Sequence, residues 1–223
     1  MRRVAPEGFL HLPHNKHSLQ MRLNNRTPMT AVLIAAAALV AAHLLDSIFY
    51  HYFSYPDIYS HDWGRALRVL GFLPLWWTAA LALWLHDRAT RGAWRAQLLA
   101  ASPTLSGIAG EVLKLLLRRD RPSAHDGHYV FRSFADRPFH SGGLSLPSSH
   151  AIVAFGAAFI LARLFPRARW VFYAAAAGCA LSRVAAGAHF LSDVTFAAIA
   201  AWTVAWLLWR RFSPFSQKFP ALP

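Results

Sequence analysis

The chain has 223 residues, 56% of them hydrophobic, with 23 Lys and Arg against 10 Asp and Glu and a formal net charge of +13. The apolar residues fall in long blocks between short polar stretches, which excludes an ordinary soluble domain; because the basic residues flank those blocks, the charge fits anionic headgroups and not nucleic acid. A lone cysteine, Cys179, inside an apolar run excludes an intramolecular disulfide.

Residues 1–28 are polar and basic and lack the apolar core of a cleavable signal, so they read as an N-terminal arm, with Met21 and Met29 as alternative starts. His11, His14 and His17 recur every third residue, but Pro13 intervenes and no Cys or acidic partner is near, so no metal site is read there. A membrane span needs roughly 20 mostly apolar residues, and shorter runs serve where flanking residues reach the interface. Six are predicted. The first runs from Met29 to His51, with Asp46 near its outer end facing protein or water. The second, Ala66 to Leu85, carries Trp76 and Trp77 as anchor-like residues. The third, Ala96 to Leu117, contains Gln97, Pro103, Glu111 and Lys114, a polarity that requires one side to face protein or water. A long outer loop follows, in which His125, His128 and His140 read as solvated. The fourth (Ala151 to Phe165), fifth (Trp170 to Ala188) and sixth (Val194 to Trp209) are separated by only a few residues.

These elements predict an all-α fold: one six-transmembrane-helix bundle over 29–211, between the arm at 1–28 and a tail at 212–223, without internal repeats. Six spans put both termini on one face. That face carries 14 of the 23 Lys and Arg residues, and by the positive-inside bias it is cytoplasmic, which leaves the other three loops outside.

Three polar clusters are placed by the span count on the outer face, the end of span three, the start of span four and the turn between five and six. The first contains Lys114, Arg118, Arg119, Arg121 and Pro122; cations so placed grip a phosphate, arginine through paired donors and lysine as a point charge. Taken alone it also reads as a positive stop or a Glu111–Lys114 pair. The second is Pro147, Ser148, Ser149, His150 at a helix start, where free amides and hydroxyls form an anion cradle and a histidine can donate a proton. The third runs from Ser182 and Arg183 to His189 and Asp193. Four residues apart on a helix, the last two would share a face, with the carboxylate bonding one ring nitrogen and leaving the other as a nucleophile.

In this order the clusters resemble the signature of the type 2 phosphatidic acid phosphatase superfamily, K-x6-RP, PSGH and SR-x5-H-x3-D, from Lys114 to Asp193. One departure is visible, Ser149 where the family usually has glycine; its amide survives, and its side chain either crowds the phosphate or adds a donor. The resemblance implies that His189 attacks phosphorus, Asp193 orients it and His150 protonates the leaving oxygen and then activates water. It also implies that Lys114, Arg121 and Arg183, with Ser148 and Ser149, bind the phosphate, while Arg118 and Arg119 contribute to binding only. Fixed cations then replace a metal, so no metal and no cofactor is expected. The implied activity is hydrolysis of a lipid phosphomonoester or diphosphate (phosphatidate, phosphatidylglycerophosphate, polyprenyl diphosphate or lipid A phosphate) by an integral protein of a bacterial inner membrane. The implied partners are that lipid and the bilayer. Transfer of the phosphoryl group to an acceptor lipid is the nearest alternative. A haloperoxidase shares the signature but not the spans, and a transporter or scaffold leaves the spacings unexplained.

Overall fold

The computed structural model describes residues 16–87 and 93–212. His11 and His14, the His17 side chain, the start of the arm and the tail beyond Phe212 lie outside the described residues. Among those described, the regular elements are helical: α1 (Lys16–Phe53), α2 (Asp62–Val69), α3 (Leu73–Asp87), α4 (Trp94–Leu117), α5 (Ser149–Leu164), α6 (Arg169–Ala185) and α7 (Leu191–Phe212), with short 3-10 turns at Pro56–Ser60, Pro122–Ala124 and Pro166–Ala168. The chain is all-α, and two isolated bridges, Arg119 with Phe131 and Asp120 with Leu144, order the segment between α4 and α5.

Two compact units divide the chain, Met1–Ala37 and Ala38–Pro223. In the first, the described part is the beginning of α1, whose Val32, Leu33 and Ile34 are exposed apolar side chains. The helix starts at Lys16, so the second half of the arm expected over 1–28 is helical. The packing and the site described below belong to the second unit.

Five of the predicted spans match single helices, but the second does not. It is broken between Val69 and Leu73 into α2 and α3, which meet at 64°. The break follows from packing. A Cβ on Gly71 would lie 2.5 Å from the Cβ and 2.7 Å from the Cα of His150, so the chain turns where only glycine fits. The Trp76 indole N–H donates to the Leu70 carbonyl at 2.8 Å, satisfying a group released at the break. Trp76 therefore buttresses the bundle and is not the interfacial anchor suggested by its sequence; Trp77, half exposed, donates to Thr104 at 2.9 Å.

α1 from Met29 and α7 are each long and apolar enough to cross a bilayer, as are α2 and α3 taken together, whereas α5 has only 16 residues. α5 compensates by its position: α4, α6 and α7 all pack on it, and most of its residues from Ala151 to Ala162 are buried. Lipid tails are as apolar as leucine, so helices inside a bilayer associate through close fit and not through the hydrophobic effect. The fit here comes from small residues. Ser102 of α4 donates to the Gly156 carbonyl at 2.7 Å, and a Cβ on Gly156 would meet Ser106 Oγ at 2.8 Å and Pro103 Cα at 3.1 Å. At the other end of α4, Arg95 pairs with Asp87 at 2.7 Å, both buried, clamping α4 to α3. Charges are tolerated at such depth when paired.

Gly156→Val should lower thermal stability in detergent by about 1–3 kcal/mol through overpacking. Val112→Ala, on an exposed face of α4, should leave it within about 0.5 kcal/mol; equal thermal shifts would show that α4 and α5 do not meet as described.

Candidate active site

The last turn of α4, the segment after it, the first turn of α5, the end of α6 and the turn before α7 converge on one set of side chains. Lys114, 6% exposed, sits in the last turn of α4, and Arg183, 5% exposed, in the last turn of α6. His150 lies in the first turn of α5, where the amides of Ser149 and His150 have no helical acceptor. The charges of Lys114 and Arg183 act on both His150 and His189, and those of Arg121 and Arg183 on Lys114, so the five groups share one electrostatic neighbourhood.

His189 lies two residues before α7 and is 3% exposed. Its Nδ1 is 2.8 Å from the Ser145 carbonyl, which only accepts; Nδ1 therefore carries the proton and Nε2 the free lone pair. Asp193 was expected to make this bond. Its Oδ2 instead lies 3.8 Å from Nδ1 and accepts the Phe190 N–H at 2.7 Å, capping α7, while its Oδ1 pairs with Arg119. The physical reason is the helix start: with α7 beginning at Leu191, His189 is outside it, and the four-residue spacing no longer stacks the two side chains. Burial, followed by the charges of Arg183 and Lys114, outweighs the nearby carboxylate and lowers the His189 imidazole to about 4.

Ser148 is fully buried and caps α5 by accepting the Ala151 N–H at 3.4 Å, which leaves its own O–H to donate. Ser149 points to α4: its hydroxyl donates to Glu111 Oε1 at 2.6 Å and accepts from Lys114, which is itself 3.4 Å from Glu111. The guanidinium Nε atoms of Arg121 and Arg183 are buried without a hydrogen-bond partner among the described residues. Arg183 Nη1 donates to Tyr59 Oη at 2.8 Å, and neither arginine has a carboxylate partner among those residues. Buried donors in this state are suited to an anion with several acceptors.

Arg118 and Arg119 depart from expectation. Arg118 is 1% exposed, ends α4 in the left-handed conformation (φ 53°), and gathers the carbonyls of Arg132, Ser133, Asp136 and Pro138. It shapes the outer loop. Arg119, 4% exposed, pairs with Asp193, donates to Ser192 Oγ at 2.9 Å and is flanked by the rings of Tyr129 and Phe190. Ser192 is held in turn by Asp46, which accepts its N–H at 2.8 Å and its hydroxyl at 2.5 Å, and Tyr129 donates to the same carboxylate at 2.8 Å. Asp46 thus faces protein and acts as a structural acceptor. Ser145, Tyr59 and Arg68 were missed, and the sequence marks Arg119 as a binding residue and not as the partner of Asp193: a backbone carbonyl carries no sequence signal, and arginines at a span end look like a positive stop.

A model of the family described as the PAP2 superfamily matches residues 95–216. Two proteins named lipid A 1-phosphatase, from Rhizobium johnstonii and Rhizobium etli, are 41% and 39% identical over 103 residues, 45% of this chain. The match spans 41% and 43% of those relatives, less than half of their length. A transmembrane PAP2 type phosphatidylglycerolphosphate phosphatase from Bacillus subtilis, solved by crystallography, superposes with a TM-score of 0.61 over 88% of this chain and 98% of its own; at 18% identity this is a likeness of fold.

Arg119→Met should leave Asp193 buried and unpaired and cost about 3–5 kcal/mol, measured by thermal unfolding in detergent; a change below about 1 kcal/mol would show that the pair bears little on the fold. For the pH dependence, a depressed imidazole stays neutral as pH falls below 6.5 and gains its proton only near 4. The acid limb of kcat/KM, corrected for the substrate's own ionisation, should therefore lie near pH 4, and a limb near that of free imidazole would show a solvated His189.

Proposed function

The chain belongs to the PAP2 superfamily, and from that premise we propose that it is a membrane lipid phosphatase working through a covalent phosphohistidine on His189. The observation that carries this reading is the Ser145 carbonyl on Nδ1 of a buried imidazole, which leaves Nε2 unprotonated within reach of the charges of Lys114 and Arg183, with Arg121 beside Lys114.

In this mechanism Nε2 of His189 attacks phosphorus while the lipid oxygen departs with the bonding electron pair and takes a proton from His150. The His150 imidazole is lowered to about 4 in the free protein by burial and by the charge of Arg183, and is raised again by the bound phosphate dianion. Positive charge grows on the imidazole, and the Asp193 carboxylate 3.8 Å away stabilises it without holding the ring. Lys114, Arg121 and Arg183, with the Ser148 hydroxyl and the free amides at the start of α5, bind the non-bridging oxygens as charge shifts among them. Water deprotonated by His150 then attacks the phosphohistidine, releasing inorganic phosphate and restoring His189. These fixed cations take the place that magnesium has in kinases, so the reaction is assigned as metal-independent.

Membrane residence is supported by the apolar helices and by the likeness to a transmembrane protein. We assign the termini to the cytoplasm and the site to the outer face of a bacterial inner membrane, on the distribution of Lys and Arg. The bundle over 29–211 is assigned as one catalytic domain with short flanking segments. An apolar cavity of about 380 Å³ between α1, α4 and α7, lined by Leu39, Val40, Leu44, Leu117 and Phe196, supports a substrate with a hydrocarbon tail. Among the candidate substrates, the names of the Rhizobium relatives favour a phosphate on lipid A.

Purified protein should release phosphate from at least one of phosphatidate, phosphatidylglycerophosphate, a polyprenyl diphosphate and lipid A. His189→Ala should lose about 10⁴-fold or more in kcat and fail to retain phosphoryl label after acid-free quenching. Label that leaves the protein only when an acceptor lipid is added, and then appears on that lipid and not as free phosphate, would identify a transferase instead. Unchanged turnover by His189→Ala would remove the phosphohistidine.

A further inference from the structure

One cation beside this site has no task in the mechanism above. Arg68 lies in α2, outside the stretch matched by the family model. Its carbonyl accepts the N–H of Gly71, the residue that presses on the backbone of His150, so the end of α2 abuts the start of α5. Its guanidinium stands 5.0 Å from the centre of the Tyr59 ring, and that of Arg183 lies 5.5 Å from the same centre. Tyr59 fixes this corner by accepting from Arg183 at 2.8 Å and donating to the Ser182 carbonyl at 3.0 Å. Two guanidinium groups on one ring repel each other, and Arg68, like Arg183, has no carboxylate partner among the described residues. Its neighbour Arg65, by contrast, is paired with Asp62 at 2.5 Å.

The charge of Arg68 also reaches Arg121 and His150, acting on His150 more strongly than that of Lys114 does. Arg68 is therefore associated with His150, the proton donor to the leaving group in the proposed mechanism. Lys114, Arg121, Arg183 and Arg68 with the single carboxylate of Glu111 leave three positive charges, one more than a phosphate monoester dianion neutralises. The surplus cation, Arg68, lies on the His150 side of the site.

We propose that Arg68, acting with Arg121, forms a second anion subsite beside His150 that takes the inner phosphate of a lipid diphosphate. This rests on the phosphatase reading and concerns the charge beside the scissile bond, whichever lipid body carries it. His189 Nε2 bonds to the terminal phosphorus, and the bond from that phosphorus to the bridging oxygen breaks. The electron pair stays on the bridging oxygen, so a lipid monophosphate leaves with one more negative charge, which Arg68 and Arg121 stabilise. Water then cleaves the phosphohistidine to inorganic phosphate. A phosphate leaving group needs a proton less than an alkoxide does, so cations beside His150 aid this departure.

The test compares a matched pair of substrates with one lipid body, a prenyl monophosphate and the corresponding diphosphate, in neutral detergent. The full-length protein should favour the diphosphate in kcat/KM. Arg68→Gln should cut that value about tenfold on the diphosphate and less than about threefold on the monophosphate, the loss expected for one exposed arginine making a charge-assisted contact. Arg68→Lys should retain most of the preference, and Arg65→Gln, which removes the same charge one turn away, should leave it unchanged. Equal losses on both substrates, no loss on either, or the same effect from Arg65→Gln would overturn the subsite. So would release from the monophosphate alone. Release from neither substrate by a protein that hydrolyses another lipid in the broader panel would sink this inference and leave the phosphatase reading standing; failure on every lipid would sink both.

Discussion

The buried pairing of Arg119 with Asp193 is the contact on which the surroundings of His189 rest. Taking two charges out of water costs several kcal/mol for each ion, and such a pair persists only where further hydrogen bonds satisfy both partners. Those bonds are present. Asp193 caps the Phe190 amide, Arg119 also donates to Ser192, and Ser192 is held by Asp46 from α1. The main chain of Arg119 does a second thing, accepting the Ser145 N–H at 2.7 Å, and the Ser145 carbonyl then selects the tautomer of His189. One residue thus anchors both the carboxylate beside the imidazole and the carbonyl that aims it. The tether on Asp193 also explains why that carboxylate stands back from the ring.

Much of this was legible because apolar blocks reveal spans and because three polar clusters fell on one face of the predicted topology. What escaped has identifiable causes. The four-residue spacing of His189 and Asp193 implied a side-by-side pair only if both were helical, and α7 starts between them. The break near Gly71 arises from contact with His150, far away in sequence, so no local pattern announced it. The pairing of Arg119 with Asp193 was hidden in a run of basic residues at a helix end, all of which read as phosphate-binding or as a positive stop. The all-α class survives these corrections since it depends on the periodic apolar blocks alone.

Ser149, the one departure from the family pattern, is accounted for by Glu111. On a helix start facing an anion, an added hydroxyl would compete for space; here it donates to Glu111 and accepts from Lys114, turning the side chain toward α4. Two of the three donors on the Lys114 ammonium then point to protein, which orients the remaining one. Glu111 is half exposed, so solvent screens its repulsion of a phosphate more than it weakens the short contacts that place Lys114. An acidic residue within a cationic site is consistent with anion binding on these terms.

The stretch matched by the family model, 95–216, contains every residue assigned to chemistry, from Lys114 to Asp193. The helices before it supply no nucleophile and no proton donor, yet Asp46 holds Ser192, Gly71 lies on His150, and Tyr59 and Arg68 stand against Arg183. Chemistry that depends on an imidazole and three cations tolerates little change, because each group must reach one phosphorus atom. In the proposed mechanism the segment that carries Tyr59 and Arg68 meets only the leaving part of the substrate, so it is free to differ between chains. Under the proposed subsite, selection among lipids belongs to α2 more than to the signature, and a chain can keep the whole signature while its substrate is set by a helix that the signature does not include.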